Sequence, residues 1–200
     1  MTDEIRVLPA NEASWQQLQT VFGARGEAAN CQCQWFLARD REFTPMPREE
    51  REARLRAQTA CGHPDAATTS GIVAFLGDEP VGWCAVEPRS HYVRLARTRV
   101  PWAGREEDPA DDGVWAIVCF AVRTGFRRQG VSTALAVAAV EHARARGARA
   151  VEGYPKELAP GKAEIWGELY VGTPSMFEAA GMHVVSRPTL RRLVMRRDFA

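Results

Sequence analysis

The segment that decides the fold reads VWAIVCFAVRTGFRRQGVS over residues 114–132. Its first half, Val114 to Val122, is an apolar run without strict alternation, which is typical of a central strand buried on both faces. Its second half holds three arginines, Gly130 and Ser132, and the alanine-rich stretch from Thr133 to Arg146 follows as a predicted helix. The segment therefore predicts a strand, a glycine turn and a helix N-terminus in that order.

A helix N-terminus in this position predicts an anion-binding site. The first backbone N–H groups of a helix have no partner within it, and they point at any anion placed there. Gly130 permits a close approach because it has no Cβ, and the arginines add fixed positive charge. An ordinary strand-to-helix turn with solvated arginines is the alternative interpretation. The predicted pyrophosphate-binding residues are Arg127, Arg128, Gln129, Gly130, Val131 and Ser132.

The elements on either side complete an α/β pattern, and we predict one domain over residues 1–200. The predicted strands cover Ile5–Leu8, Gly71–Gly77, Val81–Val86, Val114–Val122, Ala148–Tyr154, His183–Arg187 and Leu190–Arg197. The predicted helices cover Trp15–Phe22, Pro47–Ala60, His91–Arg97, Thr133–Arg146 and Thr173–Ala180.

Composition narrows the function classes. With 46% hydrophobic residues, 26% charged residues and a net charge of +1, the chain predicts a globular domain without a global field for nucleic acid. Its apolar runs are shorter than the roughly 20 residues of a membrane helix, so we expect no membrane partner and a cytoplasmic location. A small molecule is the expected partner, and a homodimer is compatible with the sequence. Four arginines alternate with apolar residues as on a half-exposed strand and are too few to predict nucleic-acid binding: Arg191, Arg192, Arg196 and Arg197.

The sequence resembles the GNAT superfamily of N-acetyltransferases. Their cofactor motif is Gln or Arg, two residues, Gly, one residue, then Gly or Ala, and residues 127–132 fit it except that Ser132 stands at the last position. The likeness extends to the apolar strand, to Glu152-Gly-Tyr-Pro155 and to residues 176–182, which is about half of the chain. It implies an α/β fold with a mixed, mostly antiparallel central sheet flanked by helices, and acetyl-coenzyme A as the acyl donor.

The resemblance also implies direct transfer of the acetyl group to a primary amine. In the family a backbone N–H of the central strand meets the thioester oxygen, and by position the main chain of Phe120, Ala121 and Val122 does this and pairs with the pantetheine arm. A small-molecule acceptor is preferred to a protein lysine or amino terminus. A module that binds acyl-coenzyme A without turnover is the alternative outside enzymes.

Two departures from the family concern acid–base chemistry. Ala116 stands where many relatives carry a glutamate base, and Phe177 stands where many carry a tyrosine acid. We predict Glu152 on the next strand as the base, because an ammonium must lose a proton before it attacks. We predict Tyr170 or Tyr154 as the acid. The other proton acceptors considered are Glu87, Glu168 and bulk water.

Two further groups of residues invite a functional interpretation. The first group consists of four potential zinc ligands, Cys31, Cys33, Cys61 and His63. The one-residue gaps within Cys31–Cys33 and Cys61–His63 favour packing in the core over a metal site. The acidic residues of the stretch 106–112 attract a cation in principle, and a solvated loop is the preferred interpretation.

Overall fold

A seven-stranded sheet in the order β1-β2-β3-β4-β5-β7-β6 forms the centre of the computed structural model, which describes residues 4–39, 41–157 and 170–200. The strands are β1 Ile5–Pro9, β2 Ile72–Leu76, β3 Glu79–Pro88, β4 Val114–Val122, β5 Ala150–Gly153, β6 His183–Thr189 and β7 Arg192–Asp198. The α-helices are α1 Trp15–Phe22, α2 Glu27–Cys31, α3 Arg48–Thr59, α4 Val131–Ala145 and α5 Pro174–Ala179.

Among these seven described strands, the only parallel pair is β4 with β5; the other neighbours run antiparallel. This confirms the predicted mixed, mostly antiparallel sheet flanked by helices. The pairing of β4 with β5 covers only Val114–Ile117 against Ala150–Gly153, although β4 continues to Val122. The second half of β4 therefore has an edge that β5 does not cover, which we call the open edge.

A β-bulge interrupts β4 where the open edge begins. Ala85 of β3 faces Cys119 and Val86 faces Ile117, so that Val118 is the extra residue. Val118 and Cys119 consequently contact the same hydrophobic cluster, on the face of the sheet opposite α4. A bulge of this kind re-aims the residues that follow it.

Helix α4 packs closely on β3 because Gly82 lacks a side chain. A Cβ at Gly82 would lie 2.7 Å from Val131 Cγ1 and 2.9 Å from Leu135 Cδ1. Helix α1 covers the other face, and it begins at Ser14 with a capping box in which Ser14 and Gln17 each bond the other's backbone N–H. The start of α4 is thus fixed against the sheet beside Val122, the register partner of Gly82.

Local signals predicted the boundaries of β4 and α1 residue for residue. Helix α4 begins two residues before the predicted start, because Gly130 adopts φ 80° and serves as its N-cap. The single helix predicted over residues 91–97 is replaced by two 3-10 turns, Arg89–His91 and Leu95–Arg97. In the described part of the chain, no helix is long and apolar enough to cross a membrane.

Candidate active site

A cavity lies at the N-terminus of α4, and we call it the α4 cavity. It has a volume of about 140 Å³ and is lined by Val122, Phe126, Arg128, Gly130, Val131, Ser132 and Thr133. The first intrahelical bond runs from Ala134 N–H to Gly130 O at 2.9 Å. The N–H groups of residues 131–133 therefore have no acceptor within the helix, and they lie at its positive end.

Most of the residues predicted for the anion site lie at this cavity, and two do not. Arg127 Nε donates to Val122 O at 3.3 Å, and Gln129 Nε2 donates to Gly125 O at 3.1 Å, so both side chains hold the turn together instead of lining the cavity. Arg128 has φ 60°, a left-handed conformation that non-glycine residues adopt at a cost. Thr133 is an additional lining residue, which its place in the first helical turn signals.

The open edge of β4 runs from the α4 cavity toward the second cavity. The N–H of Phe120 points to this edge, where it donates to the backbone carbonyl of Tyr170 at 2.6 Å. By alternation the N–H of Val122 points the same way, whereas Ala121 faces its partner Trp83 on β3. Of the three residues predicted to bind the arm, two thus present their main chain to the edge, and the Phe120 donor is engaged by Tyr170.

The second cavity lies beside the bulge, and we call it the aromatic cavity. It has a volume of about 180 Å³ and is lined by Phe36, Leu95, Thr98, Val100, Ile117, Val118, Tyr154, Tyr170, Val171 and Arg192. Val118 and Val122 mark the two ends of the edge between the cavities, and four residues of strand span about 13 Å. Of the predicted catalytic residues, Tyr154 and Tyr170 line this cavity and Glu152 does not.

Glu152 lies behind the aromatic cavity in a buried ion network, formed with Glu107, Arg89, Arg105 and Arg196. Its carboxylate accepts five hydrogen bonds, four from the arginines and one from the Tyr154 hydroxyl at 3.1 Å. A carboxylate has about four lone-pair sites, so these donors saturate it.

The electrostatics keep Glu152 ionised and Tyr154 protonated. Burial by itself raises the pKa of Glu152, but Arg105, Arg89 and Arg196 outweigh it and hold that pKa below its ordinary value. Burial and the Glu152 charge raise the pKa of Tyr154 well above the usual range of a phenol. These contacts favour Glu152 as a residue that positions Tyr154, whereas its role as general base stays a prediction.

The strand register places carboxylates on both sides of Ala116. Glu87, Ala116, Glu152 and Arg196 are successive partners across β3, β4, β5 and β7. Ala116, which stands where many relatives carry a glutamate, therefore has an acidic residue beside it on each neighbouring strand, Glu87 on β3 and Glu152 on β5. Glu87 is nearly buried and its Oε2 lies 3.1 Å from Nδ1 of His91, whose pKa this contact raises. The remaining carboxylate candidate, Glu168, lies outside the described residues.

The acidic stretch 106–112 is largely solvated, as the sequence predicts, since Glu106, Asp108 and Asp112 are exposed. Glu107 binds Arg89, Arg105 and Arg196, and Asp111 pairs with Arg149. The prediction is wrong for Glu107, because Arg89 and Arg196, which come from distant parts of the chain, hold it in a buried ion network, whereas the pair of Asp111 with Arg149 lies at the surface. The stretch anchors the Glu152 network to the loop that precedes β4.

Cys33 and Cys61 belong to the hydrophobic cluster on the helix α1 side of the sheet. Trp83 Nε1 donates to Cys33 Sγ at 3.0 Å, and Cys61 Sγ donates to Thr59 Oγ1 at 3.2 Å. Over residues 4–39, 41–157 and 170–200, no three His, Cys, Asp or Glu side chains are grouped to hold a metal ion. The possible zinc ligands are therefore not brought together.

The position of the family's tyrosine acid is filled by core packing. Phe177 is fully buried, and its ring centroid lies 5.9 Å from that of Phe120. A Cβ on Gly153 would lie 2.5 Å from this ring, so a glycine on β5 makes the room. Phe177 packs against Phe120 of the open edge and provides no proton.

Comparison with known families identifies the class of protein. The model of the acetyltransferase (GNAT) family matches residues 33–154, which include β4, the α4 cavity and Tyr154. The chain therefore belongs to the GNAT acetyltransferase family. The prediction of an acetyltransferase with acetyl-coenzyme A as cosubstrate is confirmed at the level of the family.

Solved structures share the fold at low sequence identity. A GCN5-related N-acetyltransferase from Kribbella flavida is 18% identical with a TM-score of 0.52, over 98% of both chains. A GNAT acetyltransferase from Streptococcus pneumoniae is 11% identical with a TM-score of 0.52, over 98% of this chain and 100% of the other. The PaiA N-acetyltransferase from Thermoplasma acidophilum, solved with coenzyme A, is 12% identical with a TM-score of 0.50, over 98% and 99%. Among curated proteins, none matches.

Proposed function

We propose that the protein transfers an acetyl group from acetyl-coenzyme A directly to the primary amine of a small molecule, with residues 1–200 acting as one catalytic domain. The observation that carries this proposal is the pair of cavities at the two ends of the open edge of β4. An extended donor that lies along this edge reaches both cavities at once. The complex of PaiA with coenzyme A supports the choice of donor for this fold.

The α4 cavity suits the pyrophosphate of the donor. The N–H groups of Val131, Ser132 and Thr133 are unpaired within the helix, and Arg128 adds a positive charge at the cavity wall. A Cβ on Gly130 would meet no atom within 4 Å, so the space in front of this residue is open to a ligand. The main chain of Phe120 and Val122 then offers donors to the arm, once the carbonyl of Tyr170 releases Phe120.

The aromatic cavity suits the amine. The Tyr154 hydroxyl donates to Glu152, so its oxygen can accept an N–H bond and aim the nitrogen lone pair at the acyl carbon. The nitrogen forms the new C–N bond as the C–S bond breaks, and the amine proton leaves to water at the cavity mouth. The prediction from the sequence that Glu152 takes that proton is disfavoured, because the arginines lower the pKa of its carboxylate.

Tyr170 is the proposed proton donor to the departing thiolate. It lines the aromatic cavity and is 37% exposed, so solvent can return its proton after each turnover. Burial raises the pKa of its hydroxyl, which keeps the phenol protonated at neutral pH. A thiol has a pKa of about 8.5, so the leaving group needs only modest help.

The size of the aromatic cavity supports a small acceptor. Its volume of about 180 Å³ is below the roughly 300–1,000 Å³ of common small-molecule pockets. Incubation with acetyl-coenzyme A and a panel of amines tests the proposal, with products identified by mass spectrometry because the five free cysteines would react with thiol reagents.

We expect acetylated primary amines and no product from their tertiary counterparts, which match them in charge. Faster transfer to peptides would make the acceptor a protein. Tight binding of coenzyme A without any product from amines or peptides would make the chain a binding module.

A further inference from the structure

The aromatic cavity contains one charged side chain among the residues that line it, and that charge is positive. Arg192 reaches it from the start of β7, and the other lining residues are apolar, aromatic or, in Thr98, hydroxylic. Among the described residues, no carboxylate lines the cavity. A cavity built for an acceptor that is only a cation would be expected to present negative charge instead.

The Arg192 guanidinium has no compensating partner in the described part of the chain. Its Nε is buried without a hydrogen bond, and no ion pair of this side chain is found there. Burial desolvates the guanidinium enough to lower its pKa, and the Tyr170 hydroxyl acts in the opposite direction. A desolvated guanidinium is costly until an anion pairs with it, and its planar fork matches a carboxylate.

Neighbouring arginines of the same segment differ from Arg192, because they have partners or are exposed to solvent. Arg196 binds Glu107, Glu152 and Asp198, and Arg197 binds Glu141 and the carbonyl of Ala180. Arg191, next in sequence, is exposed to solvent and needs no partner. Arg192 is the member of this group that is both partly buried and turned to a cavity.

We propose that the acceptor is a small amino acid, a primary amine that also carries a carboxylate, and that Arg192 binds this carboxylate. The inference rests on the proposed function, since it names the substrate class of the same site. With the carboxylate at Arg192, the amine faces Tyr154 and the bulge of β4, which line the same cavity. Arg192 is then the residue that determines acceptor specificity.

Matched acceptor pairs test the inference. In each pair an amino acid is compared with the amine that lacks its carboxylate, namely γ-aminobutyrate with butylamine and glycine with methylamine. Steady-state kinetics give kcat/KM for every acceptor in the parent protein and in Arg192→Gln, Arg192→Lys and Arg191→Gln. A third arm, aminomethylphosphonate, distinguishes a carboxylate from another anion.

We expect the parent to prefer the acids. Arg192→Gln should raise KM for the acids by about 10- to 100-fold, the range of one charge-assisted hydrogen bond, and so reduce the preference for each acid over its carboxylate-free amine. Arg192→Lys should recover part of the loss, since it keeps the charge without the fork. Arg191→Gln should retain the full preference.

Two results would overturn the inference. The first is a parent protein that acetylates butylamine as well as γ-aminobutyrate, which leaves the proposed function intact. The second is an Arg192→Gln protein with undiminished preference for the acid. If no amine is acetylated, calorimetric titration of the coenzyme A complex with γ-aminobutyrate decides the matter: binding that Arg192→Gln abolishes supports it, and no binding to the parent rejects it.

Discussion

The two cavities are built from different parts of the chain. The α4 cavity is made by residues 122–133, with main-chain donors at its centre, whereas the aromatic cavity is made by side chains from Phe36 to Arg192. A site of the first kind depends on local backbone conformation. A site of the second kind depends on how distant segments pack. The two should therefore respond to different substitutions.

The largest effect is expected at Gly130. We predict that Gly130→Asp abolishes coenzyme A binding, because it places a negative charge where the pyrophosphate approaches. Gly130→Asn is the matched control, since Asn and Asp tolerate the left-handed conformation similarly and differ in charge. Calorimetry measures the affinity, and circular dichroism verifies that both variants are folded.

Stability and binding report on different changes in Gly130→Asp. Gly130 has φ 80°, a conformation that other residues adopt at a cost, so both variants should lose a similar amount of thermal stability while only the Asp variant loses binding. Undiminished affinity in the folded Asp variant would remove the assignment of the α4 cavity.

The next effect is expected at Glu152. Glu152→Gln leaves Arg89, Arg105 and Arg196 without their shared carboxylate, and loss of one partner of a buried ion pair costs about 3–5 kcal/mol of stability. Turnover should fall by a factor of about a hundred because Tyr154 loses its charged acceptor, with coenzyme A affinity intact. Denaturant unfolding and steady-state kinetics measure the two effects. Glu50→Gln is the control, since its exposed pair with Arg54 is worth less than about 1 kcal/mol.

The pH profile separates two roles for Glu152. A positioning role lowers turnover equally at every pH, whereas a general base predicts that the acidic limb of the profile flattens in Glu152→Gln. A variant with the turnover and profile of the parent would contradict both.

A smaller effect is expected at Tyr170. Tyr170→Phe should reduce turnover roughly ten- to a thousandfold while donor binding barely changes, because a thiolate is already a good leaving group. Tyr92→Phe is the control: its hydroxyl is buried, has no hydrogen-bond partner in the described chain and does not line the cavity. Unaltered turnover with a raised KM for the amine would make Tyr170 a wall of the aromatic cavity.

The smallest effect concerns acid stability and has no influence at neutral pH. Burial lowers the pKa of His142, on α4, from 6.5 to about 4. Its neutral form is favoured by folding, so this stability is complete above pH 6.5 and is lost as the pH falls toward 4, by about 3 kcal/mol in total. His142→Gln should flatten the dependence of unfolding free energy on pH in that window.

The Glu152 network should act at lower pH. The pKa of Glu152 in the folded state lies below the ordinary value, so the contribution of Glu152 to stability is present above the unfolded pKa and is lost as the pH falls through the folded pKa.

A parent protein equally stable at pH 7 and pH 4.5 would contradict the role of His142.

The difference between the cavities also decides what the sequence could predict. The strand β4, the capped start of α1 and most of the α4 cavity follow from neighbouring residues, and all three were predicted. Glu152 was predicted near the site, but its partners lie 63, 47 and 44 positions away, and no local pattern indicates them. Arg192 has the sequence pattern of a half-exposed strand, and only the packing around it distinguishes it from Arg191.

The Glu152 network also bears on how the native state is reached and left. Its contacts join β5 to Arg89, to the loop before β4 and to the last strand, with Arg196 and Glu107 separated by 89 positions. Contacts between such distant segments form late in folding, because the chain between them must first be closed into a loop. Interactions absent from the transition state act mainly on the unfolding rate. We therefore expect this cluster of charges to set the lifetime of the folded enzyme far more than the speed at which it folds.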